Sequence, residues 1–216
     1  MGKEYSKELL VDAILADKED KLDKYLELNP DKVNSPLMEG NTNPICRASY
    51  LGKRNIIAVL LKHGADIDIR CGGKGNTGIM WAAWRNYTKT VEFLISEGAD
   101  LKVQNFDGDN ALDVSIYRMS YHTARILKAH GFVPKAAAYY KSKLPIEFDV
   151  EHFITCLEED REVNNYKEFR IETNECVQSQ IYEEEIKKGT IDMISDAPSF
   201  TNLDLLKGDD LDLDQV

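Results

Sequence analysis

A chain of 216 residues with 43% hydrophobic and 30% charged side chains has material for one or two compact domains with an ordinary buried core, which excludes a wholly disordered chain. Its net charge of −11 is unevenly divided: residues 142–216 carry 20 Asp and Glu against 7 Lys and Arg, whereas the first 141 carry 18 against 20. A phosphate backbone is repelled by the second part and barely attracted by the first, so nucleic acid is not an expected partner. No apolar run approaches the roughly 18 residues of a membrane-spanning helix, and the N-terminal MGKEYSKELL has no apolar stretch of signal type. Membrane insertion is therefore not expected, and the expected location is cytoplasmic. Cys46, Cys71, Cys156 and Cys176 are scattered without a C-x-x-C pair. They read as reduced structural thiols, with neither a disulfide framework nor a metal knuckle.

The chain opens with an apolar-patterned stretch from Glu8 to Asn34, and a fixed period begins after it. Three segments align: N-P-I-C-R-A-S-Y-L-G from Asn43, T-G-I-M-W-A-A-W-R-N from Thr77 and N-A-L-D-V-S-I-Y-R-M from Asn110, spaced by 34 and then 33 residues. Each is followed by a second apolar helix, at Ile56 to Asp66, Val91 to Asp100 and Ala124 to Gly131. The first helix of each unit carries small residues (Ala48 and Ser49, Ala82 and Ala83, Ser115) that allow neighbours to approach closely. The second supplies an Ile, Val and Leu stripe. Gly64, Gly98 and Gly131 fall in register as left-handed helix ends, and Gly40, Gly75 and Gly108 fit hairpin tips. One such unit cannot bury its apolar face alone, so the units must stack.

This pattern resembles the ankyrin repeat, with its T-P-L-H-x-A-A motif and terminal G-A-D, over roughly Tyr5 to Ser142. The resemblance implies an all-α solenoid of paired helices with hairpin loops, followed by a partly helical acidic extension. Repeats are expected at about 5–35, 36–69, 70–102 and 103–131, with a capping helix at 132–143 and the extension at 144–216. Glu8 to Asn34 looks like the family's atypical N-terminal cap, with a polar outer face. Phe132 to Ser142, with Pro134 at the helix start, looks like a C-terminal cap. The motif's His is replaced by Cys46, Met80 and Asp113, and its Pro by Gly78 and Ala111, so the usual Thr-to-His bonding is lost and a lower stability is expected.

Several segments mimic chemistry. Gly73 to Gly78 matches G-x-G-x-x-G, but the repeat register places Gly75 in a hairpin and Thr77 at a helix start, without the βαβ context of a dinucleotide site. Asp107-Gly108-Asp109 and the tail aspartates Asp210, Asp212 and Asp214 lack the Gly and Glu spacing of a calcium loop. Histidines 63, 122, 130 and 152 have no nucleophile or acid at triad spacing. No catalytic residue, cofactor or metal is expected, and the chain is not expected to be an enzyme.

In the ankyrin family, partners are usually gripped on the concave face by hairpin tips and by two variable positions ending each first helix. Carried onto this chain, those positions are Tyr50 and Leu51, Trp84 and Arg85, and Tyr117 and Arg118, with Asn41, Asn76, Phe106 and Asp109 on the hairpins. Trp, Tyr and Arg dominate protein interfaces because they join large apolar area to directional polar tips, so the ladder is a candidate protein-binding stripe. In the extension, Asp149 is a candidate N-cap. Val150, Phe153, Ile154 and Leu157 recur at i, i+3, i+4 and i+7, which predicts a short amphipathic helix. A second helix is expected over about 174–188. The end, where Leu alternates with Asp, reads as a linear segment for a second partner. The expected function is an adaptor or scaffold. The alternative is an architectural subunit of a cytoskeletal or other large assembly, with the extension laid over its neighbours.

Overall fold

The computed structural model describes residues 2–37, 42–146, 148–163 and 169. Gly40, Asn41, the expected helix at 174–188 and the Leu–Asp tail lie outside them. Ten α-helices form among the described residues: α1 (Gly2–Leu15), α2 (Glu19–Leu28), α3 (Pro44–Tyr50), α4 (Arg54–Lys62), α5 (Gly78–Trp84), α6 (Thr88–Ser96), α7 (Ala111–Tyr117), α8 (Tyr121–Ala129), α9 (Ala137–Lys141) and α10 (Val150–Glu158). The first helices α1, α3, α5 and α7 stack in one row, and α2, α4, α6 and α8 stand behind them. The chain is therefore the all-α ankyrin solenoid that the repeat predicts.

Each unit is built by local rules that recur with the period. After α1 the first helices are two turns long, and every residue of α7 is buried, as are Ala82 and Ala83 of α5. Behind them, Ile56, Ile57 and Leu60 of α4, Val91 and Leu94 of α6, and Ala124 and Leu127 of α8 close the core. The turn between the helices needs a left-handed residue, supplied in register by Gly52, Asn86 and Met119 at φ 71°, 58° and 52°. Second helices end in Schellman motifs: Ala65, Ala99 and Phe132 each donate their N–H five residues back, to the carbonyls of Leu60, Leu94 and Leu127, over left-handed Gly64, Gly98 and Gly131. Units are also tied side by side, since the Asp68 carboxylate accepts the Asp100 N–H at 3.0 Å and Asn34 Oδ1 accepts that of Asp66 at 2.9 Å.

The departures from the family motif have local consequences. Thr77 Oγ1 is buried with no hydrogen-bond partner among the described residues, because position 80 holds methionine. Asp113, also at the motif's His position, instead makes a capping box: its N–H donates to Asn110 Oδ1 at 3.0 Å and its carboxylate accepts the Asn110 N–H at 2.9 Å.

Three expectations are corrected. Cys46 and Cys71 are not two reduced thiols but a disulfide. The hairpin that pairs Cys71 with Asn76 opens the next unit and folds back over α3 of the unit before it, bringing cysteines 25 residues apart to a Cα separation of 6.9 Å. Cys156 is buried, its Sγ 3.7 Å from His152 Nε2. The N-terminal cap is not wholly polar outside, because Leu9 and Leu28 stand exposed among the charged residues of α1 and α2. The C-terminal capping helix starts at Ala137 and not at Pro134, since the Lys135 N–H donates to the Tyr140 hydroxyl and holds the chain open before it.

Packing also continues past residue 143, where the domain break is expected. Asp149 caps α10 by accepting the His152 N–H at 2.9 Å, and α10 lies against α8 and α9. Phe153 is fully buried among Tyr121, Phe148 and Phe169, with ring centroids 5.2, 5.4 and 4.9 Å away. The Tyr121 hydroxyl donates to the Arg161 carbonyl, and Arg125 pairs with Asp160 at 2.7 Å. This first part of the extension is thus the last layer of the core. Phe153→Ala should cost about 3–5 kcal/mol in chemical denaturation, the usual loss for a buried phenylalanine. A loss below about 1 kcal/mol would mean that α10 contributes little to the solenoid.

Candidate partner-binding face

The end of each first helix lies beside the same position of the next unit, because α3 packs on α5 and α5 on α7. Stacking at this offset lays each arginine over the aromatic ring one unit earlier. The exposed Arg85 guanidinium sits 5.1 Å from the Tyr50 ring and 5.8 Å from that of Tyr87. Arg118 lies 4.7 Å from the Trp84 ring, and its Nε donates to the Trp84 carbonyl at 3.2 Å. Arg47, which the sequence does not single out, adds a third cation 6.0 Å from the Tyr50 ring. Each such contact is worth about 0.5–1 kcal/mol at an exposed site. Trp81 meets Tyr50 edge-on at 5.7 Å and packs partly against the core.

The remaining candidates divide. Tyr50, Trp84 and Leu51 are half-buried. Phe106 is 69% exposed at a hairpin tip. Its ring lies over Gly75, whose left-handed turn leaves no room for a side chain: a Cβ there would meet the Phe106 ring at 2.8 Å. Tyr117 does not join the stripe. It is 1% exposed, because the unit after it is the cap, and Tyr140 and Lys143 cover its ring at 5.7 and 5.2 Å. Asn76 and Asp109 are likewise buried. Asn76 accepts from Asn105 at 2.8 Å, and Asp109 belongs to a polar network beneath the cap.

That network is absent from any motif. Asp109 accepts hydrogen bonds from the Tyr117 hydroxyl at 3.0 Å, the Lys135 ammonium at 2.8 Å and the Tyr139 hydroxyl. Lys135 also donates to the Gly108 carbonyl at 2.8 Å and stands 3.2 Å from the fully buried Asp113, which accepts from Tyr140. Lys143 donates to the Tyr117 and Tyr139 hydroxyls at 3.0 and 2.8 Å. Burial and the adjoining Tyr139 and carboxylates push the Tyr117 and Tyr140 phenols far above their ordinary value. Burial would lower Lys135, but its bonds to Asp109 and Tyr139 outweigh that and raise it. Neither phenol nor ammonium is poised to give up a proton near neutrality, so the cluster clamps the cap onto the fourth repeat. The Tyr139-Tyr140 pair between Lys135 and Lys143 is its only trace in the sequence.

Other motifs dissolve into the same architecture. Asn105 Oδ1 accepts the N–H groups of Asp107 and Asp109 at 3.0 and 2.9 Å, which makes that acidic stretch a side-chain-closed turn. Gly73 to Gly78 spans the hairpin and the start of α5. Among the described residues, no group of three or more His, Cys, Asp or Glu is placed to hold a metal, and no helix is long and apolar enough to cross a membrane.

Although burial would raise the Asp109 carboxyl, the Lys135 and Tyr139 bonds and the two lysine charges hold it below its ordinary 3.8. A depressed carboxyl stabilises the fold above its unfolded value, and that contribution is lost as pH falls through the folded value. Asp109→Asn should therefore be less stable than the parent at pH 7, with the gap closing as the pH drops below about 4. Denaturation curves from pH 7 to 3 check this, and a gap independent of pH would mean that the charge is not what counts.

A family model described as ankyrin repeats, in three copies, matches residues 10–105 and 45–138 of the chain. Comparison with curated proteins finds no match.

Proposed function

The chain belongs to the ankyrin-repeat family, and from that premise we propose that it is a non-enzymatic adaptor that holds a protein partner on its concave face. Ankyrin repeats generally mediate protein–protein interaction. The grip is assigned to Tyr50, Leu51, Trp84, Arg85, Phe106 and Arg118. The observation that supports this most directly is the ladder of Arg85 over Tyr50 and Arg118 over Trp84. These contacts hold the large side chains in place before a partner arrives, so less conformational entropy is lost on binding. They also leave a surface of ring faces and guanidinium edges that suits a partner segment with apolar and carboxylate side chains. Three successive units of the array supply the ladder and the hairpin carrying Phe106 extends it. Its natural occupant is therefore a protein surface or peptide, not a small molecule.

The test is affinity purification with the full chain, followed by calorimetry on whichever partner is recovered. Trp84→Ala should weaken that complex by about 2 kcal/mol or more, in the range of interface hot spots. Arg85→Ala, at an exposed position, should weaken it less while leaving the melting temperature in place. Intact affinity with a lowered melting temperature would instead make the ladder a piece of the scaffold.

A further inference from the structure

At the N-terminal end of the solenoid, α1 and α2 enclose an open groove of about 460 Å³. Its walls include Leu9, Tyr25 and Leu28, and its rim Lys18, Lys21 and Lys24, with Asp12 the one carboxylate among the lining residues. Leu9 is 51% and Leu28 83% exposed. None of the three lysines makes an ion pair with a described residue. A terminal repeat is soluble when its outer face is polar, and this one is so over most of its surface, residues 8–28 carrying seven Asp and Glu against three Lys. The groove lining, however, gathers the three lysines around an apolar floor with one carboxylate. Its surface is the complement of a segment that is both leucine-rich and acidic.

The chain carries such a segment. Residues 203–214, L-D-L-L-K-G-D-D-L-D-L-D, hold five leucines and five aspartates against one lysine. We infer that the groove between α1 and α2 holds this segment of the same chain, its leucines on Leu9 and Leu28 and its carboxylates toward Lys18, Lys21 and Lys24. Reach is sufficient. Phe169 is fastened to the solenoid, its carbonyl accepting the Asp149 N–H at 2.7 Å. The 33 residues from 170 to 202 then span up to about 110 Å when extended. Five helix layers at about 10 Å spacing separate the two ends by roughly 40 Å. Tethering over such a length sets an effective concentration on the order of a millimolar or somewhat less, so a contact too weak to hold a free peptide is still occupied. A second copy fits less well, because two of these faces would bring six lysines together.

Carbodiimide coupling of the full chain, which joins an amine to a touching carboxylate without a spacer, tests the inference when read by peptide mass spectrometry on an equal mixture of ¹⁴N and ¹⁵N protein. The expected result is links from Lys18, Lys21 or Lys24 to Asp209, Asp210, Asp212 or Asp214, within single isotopic chains and insensitive to dilution. Leu28→Asp and Leu211→Asp should each cut their yield by about tenfold, the share of one buried leucine. Leu28 stands outside the core and residue 211 beyond the repeats, so neither change threatens the fold. The inference is overturned by links that form equally at Lys74, Lys102 and Lys143, by links that distribute statistically over mixed-isotope and single-isotope pairs, or by a yield indifferent to Leu28. The first outcome would place the tail elsewhere, and the second would make the groove a contact between copies.

Discussion

A pair of helices seven and nine residues long, such as α5 and α6, has too little surface to enclose its own apolar face, and everything else in this protein follows from that. Each unit borrows one wall of its core from the unit before and lends another to the unit after. Small residues on the first helices let the layers approach, and the Asp68 to Asp100 bond fixes their lateral register. The same stacking produces the candidate binding stripe. Arg85 lies over Tyr50, and Arg118 over Trp84, only because successive layers are displaced by one helix width. The stripe is a property of neighbours, and no single repeat contains it.

An array built this way must end twice, and the two ends are treated differently. At the C-terminus the last layer is sealed by an aromatic cluster, in which α10 brings Phe153 onto Tyr121, and by a buried polar clamp, in which Lys135 joins Asp109 and Asp113. A charge in such a place is tolerable only when each donor and acceptor is met, and here the tyrosine hydroxyls and the Asn110 capping box meet them. At the N-terminus no comparable seal covers Leu9 and Leu28 among the described residues. One end is closed by the chain's own core, and the other keeps an open groove in which leucines and lysines lie side by side.

Much of this was legible in the residue order. The 34- and 33-residue spacing, the glycines at 64, 98 and 131, and the i, i+3, i+4, i+7 stripe after Asp149 are local signals. Helix periodicity and left-handed helix ends depend on residues within a turn or two, so they survive without tertiary context. The family and the all-α solenoid follow from them. The aromatic and arginine residues at the ends of the first helices are visible there too, though not their pairing.

What only the tertiary structure decided is which equivalent positions stay equivalent. Tyr50 and Tyr117 occupy the same place in the repeat, yet one stays half-buried and the other is core, because burial is set by the layer that follows and the layer after α7 is a cap. Cys46 and Cys71 carry no pairing signal, and it takes a hairpin folding back over α3 to bring them together. Asp113 stands where the motif has histidine, and its role depends on Lys135 and Tyr140, 22 and 27 residues away. A short-range code names the elements. Long-range contacts, made only when the layers stack, settle which side chains remain for a partner to meet.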